Sequence, residues 1–274
     1  MALELGPPQS DEELDLFLAR EGYERRKRLY REVIGCWCGS SRLTPLPPTS
    51  EPLRFYQLCE GCGCLILRNV LSSDDLTELY GPTYFREHQV AIGLPPIDQR
   101  YSLDARDRIP VWIHLLSQYY TSGRILEIGC SHGRFLKELS TLGYHAVGIE
   151  MDREVSSWAK LQTGCDIRCA DVKHMDSGSF DAVFANDVLE HVYDPRTLIA
   201  QVMRVVKPEG KAFFQTVMFD NWQDCRVEMM RPLFHTVLYS KRCLSLLEDE
   251  VSALHDVIPS VFGSFFLVFS RRSI

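Results

Sequence analysis

From about residue 107 onward, apolar and polar positions follow two alternating rhythms. Short unbroken apolar runs (ILEIG, AVGIE, AVFAN) suit strands buried on both faces, and the segments between them repeat at helical spacing. The pattern predicts helix 108–120, strand 124–129, helix 133–142, strand 145–150, helix 153–162 and strand 166–170. It continues with strand 180–186, helix 195–206, strand 210–217, helix 240–250, and closing strands over 254–259 and 264–270. Parallel strands joined through helices need right-handed crossovers, so the order predicts a doubly wound sheet. The fold class is therefore α/β: a Rossmann-like, seven-stranded, mostly parallel sheet ending in a β-hairpin, preceded by a small N-terminal module.

Ahead of residue 107 the rhythm is looser. Residues 1–9 read as a flexible tail, and Ser10-Asp-Glu-Glu13 as a capping box that opens an acidic helix running to Glu32. Ser72-Ser73-Asp74-Asp75 reads as the cap of a short helix ending at Tyr80. A polar, aromatic stretch follows, in which Tyr84 and Phe85 suit either a lid over a ligand or plain packing. Between the two helices, five of the ten cysteines fall between positions 36 and 64. Cys59-Glu-Gly-Cys62-Gly has the form of a zinc knuckle, two thiolates flanking a tight turn whose glycine permits left-handed backbone. Cys36-Trp-Cys38-Gly offers a second pair 20 residues upstream, one residue tighter, and Pro45, Pro47 and Pro48 mark a loop between them. Cys36, Cys38, Cys59 and Cys62 are thus candidate ligands of a structural Zn2+, with Cys64 able to replace one of the second pair; unligated thiols in a hairpin are the alternative. The organisation that follows is a helical segment at 1–34, a zinc-ribbon-like module at 35–70, a lid or linker at 71–106 and the α/β domain at 107–274.

Composition narrows the partners. The chain has 274 residues, 30 basic against 37 acidic, for a net charge of −7, which disfavours nucleic acid as a partner. The basic run Arg25, Arg26, Lys27, Arg28, Arg31 is interleaved with Glu21, Glu24 and Glu32 and reads as a solvated helix face. No uncharged apolar window reaches about 18 residues, so no membrane helix is expected. The acidic N-terminus lacks a signal-peptide pattern, which points to a cytoplasmic location with reduced thiols.

The chemistry concentrates at the ends of the predicted strands. Arg124 to Gly133 runs from strand through a glycine turn into a helix, bringing backbone N–H groups and a helix N-terminus to one edge. A pyrophosphate loop wants three glycines; here Gly129 and Gly133 stand with the acid Glu127 just before them, and an acid there suits a cationic ligand such as an ammonium. Seventeen residues after Gly133, Glu150 ends the next strand, where a carboxylate accepts from ribose hydroxyls. Asp171 follows the third strand, where it can meet an adenine amino group while Val172 packs on the ring. A nucleoside that carries an amino acid and no phosphate fits this set, namely S-adenosylmethionine (SAM).

On these motifs the segment 107–274 resembles the class I SAM-dependent methyltransferases. ILEIGCSHG is similar to their first motif, with Ser131 where the middle glycine usually stands, and GIEMD, ADV, FDAVFANDVLEHVYDP and VKPEGKAFFQT resemble the later motifs in order. The resemblance implies that Glu127, Gly129, Cys130, Ser131, Gly133, Glu150, Met151, Asp171, Val172 and Asn186 line the cofactor pocket. DVLEHVYDP is similar to the ubiquinone and natural-product group, and the N-terminal part resembles sugar and secondary-metabolite methyltransferases that carry a four-cysteine zinc module followed by a Tyr-Phe stretch.

Methyl transfer is an in-line displacement, so the protein positions the nucleophile and removes its proton where needed. Asp187, Glu190 and His191 fall at i, i+3 and i+4 after the fourth strand, where His191 suits a general base, the three suit a divalent metal, or His191 simply packs. His235, in the polar and aromatic segment Phe234–Ser240, is a rival base, and in similar enzymes a histidine at this place faces the substrate. The reading is a small-molecule methyltransferase, O-methylating or else N- or C-methylating. Two alternatives stay open: a protein or nucleic-acid methyltransferase that docks through its zinc module, and a non-catalytic SAM-binding module. Asn186-Asp-Val-Leu stands where base N-methylating enzymes carry N/D-P-P-Y/F, which argues against nucleic acid. No feature of the sequence speaks to oligomeric state.

Overall fold

The structure, a computed structural model, describes residues 30–46, 55–71, 95–225, 234–249 and 252–272. They cluster into two compact units, neither of them one continuous stretch. The helix expected from Ser10, the helix expected at 72–80, and Tyr84 and Phe85 lie outside the described residues.

The first unit contains the described residues up to 71, together with 190–195 and 217–246. Its strands are β1 (Tyr30–Glu32), β2 (Leu43–Pro45), β3 (Tyr56–Cys59), β4 (Leu65–Leu67) and β5 (Asn69–Leu71). β1 and β5 pair antiparallel, Arg31 opposite Val70. The expected helix through Glu32 is thus corrected at its end, where Tyr30–Glu32 is strand: local charge pattern yields to a partner strand 37 residues on. Pro45 likewise ends a strand, with its missing N–H at the end of the ladder. β2, β3 and β4 form an antiparallel meander, Leu43 opposite Cys59 and Leu58 opposite Leu65.

The second unit holds the described residues from 95 to 189, 196–216 and from 247 onward. It begins with α1 (Ile97–Asp107) and α2 (Ile109–Ser117), which Pro110 separates at the start of α2. The expectation of a single helix from 108, preceded by linker, is corrected by α1. Then come β6 (Arg124–Ile128), α3 (Arg134–Thr141), β7 (His145–Glu150), α4 (Arg153–Thr163), β8 (Asp166–Cys169), β9 (Phe180–Asn186) and α5 (Pro195–Val205). Asp152 caps α4 by accepting from the Glu154 and Val155 N–H groups at 2.8 and 3.0 Å, and Gly164 at φ 70° closes it. β10 (Val206–Phe219) is longer than expected at its start, because Val206 already pairs with Phe180. β11 (Val237–Ser240), β12 (Ser252–Pro259) and β13 (Ser264–Arg271) follow. The helix expected at 240–250 is corrected: its first residue ends β11, and Lys241–Leu246 forms a 3-10 helix.

In the second unit the strands lie in the order β12-β13-β10-β9-β6-β7-β8. β10, β9, β6, β7 and β8 run parallel, and β12 and β13 form the expected antiparallel hairpin. The ladder goes further than the seven expected strands. Met218 and Phe219, at the end of β10, pair with Tyr239 and Ser240, and β11 pairs with β4, so the hydrogen-bonded sheet counts eleven strands. Phe184 anchors the core of the second unit, stacked on Phe213 at 4.6 Å and edge-on to Phe135 at 5.1 Å, with all three fully buried. The chain moves outward from β6 through β7 to β8, then returns to place β9 on the other side of β6. That reversal opens a crevice at the carboxyl ends of β6 and β9, where ligands bind in such sheets.

Candidate functional site

Glu127 sits at the carboxyl end of β6, only 4% exposed, and its Oε2 has no hydrogen-bond partner. Burial pushes its carboxyl well above the ordinary range, and the neighbouring Asn186 amide opposes this only in part. Asn186 ends β9, and both of its amide atoms are buried without a hydrogen bond, as is the Ser131 hydroxyl. Buried polar atoms are almost always paired, so unmet donors and acceptors grouped at a switch point mark a place for a polar ligand.

The glycine loop between β6 and α3 has positive φ at Gly129 (65°), Ser131 (46°) and Gly133 (69°). Left-handed backbone at Ser131 explains why a glycine is at home there. At Gly133 a side chain is barred twice, by φ and by Ile167 Cδ1, which would lie 2.7 Å from its Cβ. Glu150, at the end of β7, accepts from the Ser131 N–H through Oε2 and from the Asp152 N–H through Oε1, both at 3.0 Å. Two backbone donors fix its carboxylate, and each oxygen keeps a lone pair for another donor.

The other expected pocket residues divide by environment. Met151 is exposed and Val172 buried. Asp171 accepts from the Lys173 N–H at 3.0 Å and pairs with its ammonium at 3.3 Å. The Cys130 side chain belongs to the apolar core, where burial pushes its thiol up, so only its backbone can serve a ligand.

Three side chains that the sequence reading did not select border the same loops. Arg108 donates to Asp187 at 2.5 Å, next to Asn186, and Asp104 lies 3.9 Å from Arg108 and 2.8 Å from His132 in the glycine loop. The available signal was DARDR at the end of α1, with Asp104 and Arg108 at i and i+4.

In the first unit, Cys36, Cys38, Cys59 and Cys62 hold their Sγ atoms within 4.8 Å of one another. Cys36 faces Cys62 at 3.6 Å and Cys38 faces Cys59 at 3.6 Å. A disulfide would need about 2.05 Å, whereas tetrahedral Zn–S bonds of about 2.3 Å place sulfurs about 3.8 Å apart. The turns are those of two knuckles: the Gly39 N–H donates to Cys36 O at 2.8 Å, and the Gly63 N–H to Cys59 O at 2.7 Å. The Cys36 hydrogen bond holds Cys62 low, and Cys36 is raised in return. Cys64 is fully buried, stands outside the quartet, and interacts with Cys243.

The same unit brings together Glu190, His191 and His235, whose ligand atoms also lie within 4.8 Å. The two imidazoles meet edge to face at 4.9 Å. His191 Nδ1 lies 3.0 Å from Phe234 O; a carbonyl only accepts, so Nδ1 carries the proton and Nε2 is the basic nitrogen. The Thr236 hydroxyl donates to Glu190 O at 3.2 Å and the Tyr56 hydroxyl to His235 O at 3.0 Å, fixing both backbones. Asp187, expected beside Glu190 and His191, is not in this group among the described residues; its carboxylate takes Arg108 instead. The described residues therefore form two candidate metal groups, one all thiol and one of two imidazoles and a carboxylate. None of their helices is long and apolar enough to cross a membrane.

Comparison with known proteins bears on the second unit. Residues 126–214 match the family model described as a methyltransferase domain. The ubiquinone biosynthesis O-methyltransferase of Hahella chejuensis is 34% identical over 102 residues, 34% of this chain and 43% of that protein. The protein of the same name from Colwellia psychrerythraea is 36% identical over 102 residues, covering 34% and 42%. The chain thus spans about two fifths of the length of these relatives. Among solved structures, magnesium protoporphyrin IX methyltransferase from Synechocystis PCC 6803, with bound S-adenosylhomocysteine (SAH), superposes with a TM-score of 0.54 at 12% identity, over 74% of this chain and 100% of that one. At that identity the likeness speaks for the fold. Over residues 126–214 the chain is therefore similar to methyltransferase domains.

Proposed function

We propose that the protein transfers a methyl group from SAM to the hydroxyl of a small molecule, a natural product or a sugar. The observation that carries this reading is the set of unmet buried polar atoms on Glu127, Ser131 and Asn186 at the ends of β6 and β9. Glu127 takes the cofactor's ammonium, which restores its charge in a buried setting, and Asn186 and the Ser131 hydroxyl meet the rest of the amino-acid end. Glu150, already oriented by two N–H groups, accepts from the ribose hydroxyls. Asp171 and Val172 take the adenine edge and face, with Met151 beside them. When bound, SAM supplies an electrophilic methyl on a sulfonium.

Attack by the acceptor oxygen forms the O–C bond as the C–S bond breaks, and the hydroxyl proton passes to a base. His191 is the leading base, since its hydrogen bond to Phe234 O leaves Nε2 ready for that proton; His235 is the rival. A second reading gives Glu190, His191 and His235 a divalent cation that orients the oxygen, favoured by their grouping within 4.8 Å. The four cysteines hold a structural Zn2+, which the 3.6 Å sulfur spacing supports. The name of the Hahella and Colwellia relatives, an O-methyltransferase of ubiquinone biosynthesis, supports a small-molecule acceptor and O-methylation.

Purified protein incubated with methyl-labelled SAM and separate small-molecule, protein and RNA fractions tests the reading. Label is expected in the small-molecule fraction, lost on chelation only if the second reading holds. Label in protein or RNA alone would overturn it.

A further inference from the structure

A buried histidine in a glycine loop is costly unless both ring nitrogens are used, and His132 is 5% exposed. Its Nε2 lies 2.8 Å from Asp104 Oδ2, and its Nδ1 accepts from the Arg134 N–H at 3.2 Å. A carboxylate only accepts and a backbone N–H only donates, so the two contacts fix one neutral tautomer, with the proton on Nε2. Arg134 is the first residue of α3, and Gly133 before it has no side chain to cap the helix. The imidazole satisfies one of the helix's open N–H groups in its place.

The loop needs such help. Its three positive φ angles in five residues must be held by contacts. Glu150 holds the Ser131 N–H from one side, and His132 holds the helix start from the other. Tyr101, one turn before Asp104 on α1, meets His132 edge-on at 5.8 Å and carries the Arg134 guanidinium over its ring at 4.8 Å. Arg108, just past the end of α1, ties Asp104 to Asp187 after β9.

We propose that Asp104 and His132 are positioning residues for the cofactor: Asp104 sets the His132 tautomer, and His132 sets the glycine loop and the first turn of α3. The inference rests on the reading that this pocket takes SAM. Protonation of Nδ1 would abolish the acceptor for the Arg134 N–H. Facing the ring are Asp104, Tyr101 and Arg100 from α1, Arg108 beyond it, and the Arg134 backbone. Burial lowers the His132 pKa, Asp104 opposes, and the two arginines reinforce the lowering.

Calorimetric titration of the full chain with SAH tests the pair. An unpaired buried N–H weakens binding about tenfold, so His132→Ala is expected to lose about that factor. His132→Asn, whose Oδ1 sits where Nδ1 sits, is expected to recover most of the affinity and to lose the wild type's decline at acid pH, which the lowered His132 pKa places below the ordinary histidine range. Asp104→Asn is expected to weaken binding several-fold with His132 present and not at all in the His132→Asn background. Nitrogen NMR on histidine-labelled protein should find Nε2 protonated and Nδ1 bare; a protonated Nδ1 near neutral pH contradicts the proposal even if His132→Ala fails to fold. Wild type that binds SAH while His132→Ala and Asp104→Asn bind equally well overturns the positioning role alone. Wild type that does not bind SAH overturns the cofactor reading and the inference with it.

Discussion

The two units reach order by different means. In the second unit, Phe135, Phe184 and Phe213 are fully buried around parallel strands, and apolar burial carries the fold. In the cysteine–histidine unit the meander has strands of three or four residues, and four converging thiols supplement a smaller apolar set that includes Tyr56, Leu65, Ile66 and Tyr239. The chemistry divides in the same way. The first-named unit keeps buried polar atoms unmet at its crevice, whereas the other gathers four thiols and, separately, Glu190, His191 and His235, with the Glu190 and His235 carbonyls held by Thr236 and Tyr56. One unit thus carries unmet buried polar atoms at a strand-end crevice, and the other two close groups of candidate metal ligands.

Removing a thiolate should separate the units most sharply. Structural zinc contributes about 10–16 kcal/mol in small modules, so Cys59→Ser is expected to drop bound zinc from one per chain to near zero. It should also disorder the environment of Trp37, read by near-ultraviolet circular dichroism, while SAH binding by the second unit persists. Equal loss of both would break the comparison. Next in size, Phe184→Ala should cost about 3–5 kcal/mol of stability, measured by denaturant unfolding, because it opens a cavity at the centre of the aromatic stack.

Two carboxyl groups give the pH dependence opposite signs. Glu127 stands above its ordinary 4.5 in the folded protein, so its contribution to stability is lost as pH rises from about that value through the raised one. Asp104 behaves in the opposite way. Burial alone would raise it, but the His132 hydrogen bond and the Arg108 charge hold it below 3.8, so its contribution is present above that value and lost at acid pH. Glu127→Gln is therefore expected to raise the melting temperature at pH 7–8, and wild type to release protons on binding SAH, read by calorimetry in buffers of different ionisation enthalpy. The smallest effect belongs to Ser131→Gly. Relief of left-handed strain and the added freedom of the unfolded chain oppose each other, leaving a stability change under about 1 kcal/mol by denaturant unfolding, while loss of the hydroxyl weakens SAH binding a few-fold.

Much of the second unit was legible because its signals are local. ILEIG followed by a glycine turn and a helical period locates β6 and α3 without reference to any distant partner. α1 escaped for a physical reason: none of its residues is fully buried, so IDQRYSLDARD carries no apolar stripe, and its anchors are the contacts of Asp104 and Tyr101 with the glycine loop. β11 escaped because four residues declare themselves a strand only when β4 and β10 are in place. The cysteine quartet could be read from spacing, since each pair sits on one tight turn. The grouping of His235 with Glu190 and His191 could not, because it depends on tertiary hydrogen bonds such as that from His191 to Phe234. Asp187 misled the reading, since helical spacing put it beside Glu190 and His191 while Arg108, 79 positions upstream, claims its carboxylate.

The central claim is that Glu127 is held buried with Oε2 unmet to receive the ammonium of SAM. Titrating SAH into wild type and Glu127→Gln at the same pH tests it most directly. One site per chain in the wild type is expected, with affinity at least tenfold weaker in Glu127→Gln although that variant melts no lower. Equal affinity in the two proteins would contradict the account.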